Sequence, residues 1–120
     1  MRRAVHLAAL LLLSAPALAA PGGPIGVLPQ GRYACETGGD ATGAAGVRRP
    51  EMDFSVLRGS SYRTAKGAGL YLYTGERVVF STGPLTGLRM RRVRENFMRF
   101  SRPDGTDGDT RCVRRPGSHG

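Results

Sequence analysis

Hydrophobic and polar residues alternate in short runs along most of this chain. In the stretch MDFSVLR, apolar side chains recur at Met52, Phe54 and Val56, with polar residues between them. A period of two is typical of a β-strand with one face buried and the other face in water. We therefore predict a strand here, with these three side chains in the core.

The same alternation predicts further short strands along the chain. Gly, Pro and Asp separate them at intervals of about 8–12 residues, which is typical of a β-sandwich or a small barrel. The further strands are GRYACE (31–36), a segment around Tyr62, a hairpin over 69–83 that turns at Gly75 and Glu76, LRMRRV (88–93), NFMRFS (96–101) and TRCVR (110–114).

The fold class predicted from these runs is all-β. We expect a small antiparallel β-barrel or sandwich of about seven to eight short strands, closed by one disulfide. One alternative stays open, because residues 86–101 could instead form a basic helix.

The first nineteen residues differ from the rest of the chain. Arg2 and Arg3 precede an apolar run over 4–13, and the small residues Ala-Leu-Ala occupy 17–19. This layout predicts a secretory signal peptide over 1–19, with export to the periplasm or the exterior. The apolar run is shorter than the roughly 20 residues that a membrane-spanning helix needs. We therefore expect no transmembrane segment after cleavage.

The remaining residues suffice for one small domain. The Pro/Gly-rich stretch APGGPIGVLP predicts a flexible leader over 20–29. The β domain is expected over 30–115 and contains a long glycine-rich connection over 37–51. A disordered tail is expected over 116–120.

The chain has two cysteines, Cys35 and Cys112, at opposite ends of the predicted β domain. In an oxidising compartment such a pair is expected to form a structural disulfide. The alternative is a redox or metal-binding pair. It finds little support, since there is no CxxC spacing and the only histidine outside the signal peptide is His119, in the tail.

Positive charge is the strongest compositional feature. The chain has 18 basic and 9 acidic residues, and removal of Arg2 and Arg3 with the signal peptide leaves a net charge of +7. Arginines are densest in LRMRRVR, where we expect Leu88 and Met90 to face the core. A β-bulge at Arg91-Arg92 would restore the alternation before Val93. The candidate anion-binding residues are Arg89, Arg91, Arg92 and Arg94.

Two interpretations of these arginines remain open. They could form a solvated strand face whose charges discourage edge pairing. They could instead form a patch that attracts anions in a salt-sensitive manner. Further arginines would add to such a patch, namely Arg77, Arg99, Arg102, Arg111, Arg114 and Arg115. Because export makes nucleic acid an unlikely partner, the available anions would be lipopolysaccharide, anionic phospholipid or acidic cell-wall polymers.

The sequence offers few candidate catalytic residues. With no histidine in the predicted β domain, a Ser-His-Asp or Cys-His arrangement cannot be assembled. No phosphate-binding loop motif is present. Nothing distinguishes any two of the carboxylates as an acid–base pair. The carboxylates weighed for that role are Glu36, Asp53, Glu76 and Glu95. We therefore predict neither catalysis nor a cofactor.

The loop DGTDGD brings together Asp104, Asp107 and Asp109. Calcium prefers several carboxylates in a glycine-rich loop, but this spacing does not match the EF-hand. A polar Asp/Gly turn is the simpler interpretation, so we predict no metal site.

Four motifs together resemble a family of short, exported bacterial β proteins. They are GRYAC (31–35), SSYR (60–63), TGERVVFSTGPL (74–85) and RCVRR (111–115). Because these are strand and turn signatures, the resemblance implies a fold and assigns no catalytic residue.

Two further resemblances are more limited. Chains of this pattern also carry the label elongation factor P, a three-domain, ribosome-binding family that needs a modified basic residue at a loop tip. Here only Lys66, in TAKGAG, lies in such a loop, and the chain is about half the length of that family. The segment YACETG resembles the first strand of periplasmic lysozyme inhibitors, but a chain of charge +7 would repel cationic lysozyme.

The sequence thus predicts a non-enzymatic cell-envelope or interaction module. The second hypothesis is a binder of an anionic envelope polymer or lipid, acting through the four arginines of LRMRRVR.

Overall fold

The computed structural model describes residues 25–38 and 46–117. The predicted signal peptide, residues 20–24 of the predicted leader and the last three residues lie outside this range. Besides one 3-10 helical turn, Pro50–Met52, the described residues form ten strands. The strands are β1 (Ile25–Gly26), β2 (Gly31–Gly38), β3 (Gly46–Arg48), β4 (Phe54–Val56), β5 (Ser61–Thr64), β6 (Gly67–Thr74), β7 (Arg77–Phe80), β8 (Arg89–Arg94), β9 (Phe97–Ser101) and β10 (Asp107–Arg114).

Eight of the strands close into an antiparallel barrel, in the order β6-β5-β4-β2-β10-β9-β8-β7, with β7 returning to β6. The short strands β1 and β3 add to β6 and β2. The predicted all-β antiparallel fold is confirmed, and it is a closed barrel. The basic-helix alternative for 86–101 is wrong, because this segment contains strands β8 and β9.

Alternation of side chains fills the barrel with apolar residues. Phe54 stacks on Tyr33 with ring centroids 5.0 Å apart and meets the edge of Phe80 at 5.3 Å. Phe80 also packs against Tyr62 at 4.8 Å. Such offset and edge-to-face pairs add to the stabilisation from burial. No charged residue among those described is fully buried.

The first and last strands of the barrel are neighbours and are bridged. Cys35 on β2 is directly opposite Cys112 on β10, and their sulfur atoms are bonded. Both residues are fully buried. The predicted disulfide is therefore confirmed, and it lies on the core face of the seam at which β2 meets β10.

The hydroxyl of Tyr62 ties the β7–β8 connection to the core. It donates to the carbonyl of Thr82 at 2.6 Å and accepts from the N–H of Leu85 at 2.9 Å. Gly69 and Gly83 make this approach possible, because a Cβ on Gly69 would lie 2.2 Å from the Thr82 carbonyl oxygen. Glycine is required wherever two backbones come this close.

Several elements differ from the sequence prediction. Whereas the pattern predicts a flexible leader over 20–29, Ile25 and Gly26 pair with β6, and the buried Leu28 donates its N–H to the Tyr71 hydroxyl. Strand β3 lies within the predicted connection over 37–51. Leu88 is exposed rather than buried; it precedes β8 and belongs to the turn, where its N–H donates to the Leu85 carbonyl at 3.0 Å.

Candidate anion-binding face

Four arginines form a continuous row across the outer face of the barrel. Arg77 on β7 is opposite Arg91 on β8, which is opposite Arg99 on β9, which is opposite Arg111 on β10. Directly opposed residues in antiparallel strands have Cβ atoms about 4.5–5.5 Å apart. We call these four residues the arginine row.

Strand alternation turns the row outward. Each of its members lies next to a buried apolar residue on its own strand, and side chains of neighbouring residues point to opposite faces. Those buried neighbours are Val78, Met90, Met98, Phe100 and Cys112.

Like charges in opposed positions destabilise a sheet, and three carboxylates offset part of this repulsion. Arg91 donates to both oxygens of Asp107, at 3.0 and 2.7 Å, and to Glu76 at 3.2 Å. Hydrogen bonding to Asp107 raises the pKa of the Arg91 guanidinium, and the same bonds lower the pKa of the Asp107 carboxyl. Arg111 pairs with Glu36, which faces it on β2, at 2.8 Å.

The other two arginines of the row make no ion pair with the carboxylates in the described part of the chain. Arg99 lies over the ring of Phe97, 5.6 Å from its centroid, and contacts the carbonyl of Gly108 at 3.4 Å. Arg77 is exposed beside the β6–β7 turn. Asp107 interacts electrostatically with both residues without pairing directly to either. Their guanidinium groups are therefore the ones in the row that an external anion can reach most readily.

A groove of about 590 Å³ lies next to one end of the row. Its lining includes two cationic residues, Arg77 and Arg89, and the apolar Val79. Ser101 also lines it, and its hydroxyl oxygen is buried with no hydrogen-bond partner among the described residues. The residues that line the groove are Thr74, Arg77, Val78, Val79, Arg89, Met90, Ser101 and Gly105.

A second groove, of about 430 Å³, lies over β4. Its Arg32 is paired with Asp53 at 3.3 Å, and the nearby Arg48 reaches the same carboxylate at 2.9 Å. Arg63 also lines this second groove. Asp53 offsets part of its positive charge, whereas no carboxylate lines the groove at Arg77 and Arg89, so the latter is the better anion site.

The four arginines predicted from LRMRRVR as anion-binding residues do not all lie on one face of the barrel. Arg89 and Arg91 lie on the outer face as predicted, but Arg92 is opposite the buried Met98 and donates to the Tyr73 hydroxyl at 3.1 Å. Arg94 lies over the ring of Phe97 at 5.0 Å. The strand irregularity falls between Arg92 and Arg94, later than the predicted Arg91-Arg92 bulge.

Sequence reasoning added Arg77, Arg99 and Arg111 to a broad basic patch, but it did not predict that they align with Arg91 in one row. Each occupies an outward position of a predicted strand, so the alternation marks them as exposed. Only the pairing register of four strands brings them into line.

The Asp-rich turn holds itself together without a ligand. Asp104 accepts from the N–H of Thr106 at 3.0 Å and from its hydroxyl at 2.7 Å, and these bonds lower the pKa of the Asp104 carboxyl. Asp107 is held by Arg91. Within residues 25–38 and 46–117, no three His, Cys, Asp or Glu side chains cluster as a metal site would require.

In the same described ranges, no helix has the length and apolar character to cross a membrane. Comparison with family models, with curated proteins and with solved structures finds no match to this chain.

Proposed function

We propose that the protein is an exported, non-enzymatic β-barrel that binds an anionic component of the cell envelope through the arginine row and the adjoining groove. The observation that carries this proposal is the alignment of four arginines across four strands, two of which form ion pairs, Arg91 with Glu76 and Asp107 and Arg111 with Glu36. The disulfide fits an oxidising compartment, where such bonds form and persist.

Arginine suits this role because its planar guanidinium can hold phosphate, sulfate or carboxylate oxygens two at a time. Repetition at the spacing of the strands presents several such groups to one polyanion. Each exposed contact is weak alone, and salt screens it. Binding should therefore be multivalent, and it should weaken steeply as ionic strength rises.

The test is titration with dextran sulfate at several NaCl concentrations. The variant Arg77→Gln/Arg89→Gln/Arg99→Gln removes cations of the row and the groove that make no ion pair among the described residues. The matched control Arg49→Gln/Arg58→Gln/Lys66→Gln removes the same charge from exposed positions that line neither groove. We expect affinity to fall about tenfold or more in the first variant, with a shallower salt dependence, and only slightly in the control.

Equal losses in the two variants would mean that net charge alone drives binding. The arginine row would then have no special role, and the proposal would be rejected.

A further inference from the structure

Large apolar side chains are exposed beside the arginine row. Ile25 is 67% exposed, Val27 59%, Leu70 50% and Leu72 46%. Together with the half-buried Val79, they form what we call the apolar patch. Single exposed hydrophobic residues are ordinary, but a contiguous group points to an interaction surface.

Strand register makes the patch contiguous. Leu72 on β6 is opposite Val79 on β7, and Leu70 lies two residues before Leu72, on the same face of β6. Ile25 on β1 is opposite Thr74, which lies two residues after Leu72 on the same face of β6, and the exposed Val27 follows the end of β1. Patch residues from β1, β6 and β7 thus share one outer face.

The same register joins the patch to the cations. Val79 is opposite Arg89, so one line runs from Leu72 through Val79 to Arg89. A second line runs from Ile25 through Thr74 to Arg77, and then to Arg91. Both lines pass from apolar residues to arginine within two or three strands.

We propose that this outer face, formed by β1, β6, β7 and β8, docks on an anionic phospholipid surface. This inference rests on the proposed function and names lipid as the anion. The arginines at 77 and 89 would contact headgroup phosphates, while Leu70, Leu72 and Ile25 enter the boundary between headgroups and acyl chains. Surface-bound proteins combine apolar burial with attraction to anionic lipid in this way.

A soluble polyanion would contact the arginines alone, whereas a phospholipid surface would also contact the leucines. Substitution of the leucines therefore distinguishes binding of lipid from binding of a soluble polyanion. Leu70 and Leu72 point away from the barrel core. Replacing them with serine should therefore spare the fold while it removes apolar area from the docking face.

The experiment uses vesicles of phosphatidylglycerol and phosphatidylcholine in equal amounts, and dextran sulfate in parallel. For Leu70→Ser/Leu72→Ser we expect vesicle affinity to fall about tenfold or more, because burial of two leucine side chains is lost, while dextran sulfate affinity is unchanged. The control Val47→Ser, at an exposed position on β3, should leave both affinities unchanged.

Insertion can be measured directly because the chain has no tryptophan. We expect Leu72→Trp to show a blue-shifted emission on these vesicles and quenching by bromine-labelled acyl chains. Val47→Trp should show neither effect. Circular dichroism of each variant checks that the barrel is intact.

Two results would overturn the lipid inference. One is vesicle binding by the double serine variant that equals wild type, with no emission shift at position 72. The other is binding of dextran sulfate without binding of vesicles. Both leave the proposed function standing, whereas that function fails separately if the arginine variant and its charge-matched control bind dextran sulfate equally.

Discussion

Arg91 and Asp107 form a two-bond ion pair that reaches from β8 to the start of β10, over the intervening strand β9. The pair occupies one of the four guanidinium groups in the arginine row. Asp107 therefore limits the charge that the row offers to an external anion.

Removal of this carboxylate should strengthen anion binding. We expect Asp107→Asn to raise dextran sulfate affinity by about threefold to tenfold, because Arg91, in the middle of the row, loses its two-bond partner and keeps the longer contact to the exposed Glu76. Asp109→Asn provides the matched control, since Asp109 is highly exposed and lies 3.9 Å from Arg102. Equal gains in the two variants would show that release of Arg91 adds nothing beyond the change in net charge.

The ion pair between Arg91 and Asp107 should make the free energy of unfolding depend on pH in the acid range. Hydrogen bonds from Arg91 lower the pKa of Asp107 in the folded state, so its contribution is present above the unfolded value of about 3.9 and is lost as pH falls through the lower folded value. We expect the stability difference between wild type and Asp107→Asn to shrink between about pH 5 and pH 2. Urea unfolding across this range measures it. A difference that stays constant would contradict the assignment.

The disulfide should supply much of the stability. Cys35 and Cys112 are separated by 77 positions, and closing so long a loop restricts the unfolded chain by about 4–5 kcal/mol in the chain-entropy model. We expect Cys35→Ala/Cys112→Ala to lower the free energy of unfolding by about this amount. Wild type unfolded in urea with dithiothreitol is the companion measurement. An unchanged midpoint after reduction would contradict the expectation.

Removal of the Tyr62 hydroxyl should lower the free energy of unfolding. Tyr62→Phe leaves the Thr82 carbonyl and the Leu85 N–H without their buried partner. Such losses cost about 1–3 kcal/mol. Among the described residues, the hydroxyl of the half-buried Tyr73 has one hydrogen bond, donated by Arg92, so Tyr73→Phe should cost less. Urea unfolding measures the loss of stability in both variants. A larger loss for Tyr73→Phe than for Tyr62→Phe would count against this assignment.

The strands themselves could be predicted from the sequence because their signal is local. Phe54 and Val56 alternate with polar residues, and both are buried. The disulfide could be predicted without knowledge of the fold, because two cysteines allow only one pairing. By contrast, Ile25 and Gly26 lie among prolines and glycines, and only their pairing with β6 makes them a strand.

The site was harder to predict because it depends on register. A search along the sequence groups Arg89 with Arg92, yet alternation and the irregularity after Arg92 place them on different faces. The cross-strand neighbours Arg91 and Arg99 are eight residues apart and meet through a hairpin. A one-residue slip in any of these pairings would turn an arginine inward, and local patterns do not fix that register.

The covalent seam between β2 and β10 has a mechanical consequence. If the protein were pulled from both ends, the load would first act on β1, whose two residues pair with β6, and would then reach the Cys35–Cys112 bond through β2 and β10. The segment between the cysteines would then bear no tension. A barrel built in this way keeps the arginine row and the two leucines of the apolar patch in shape under force, because all of them lie between the cysteines.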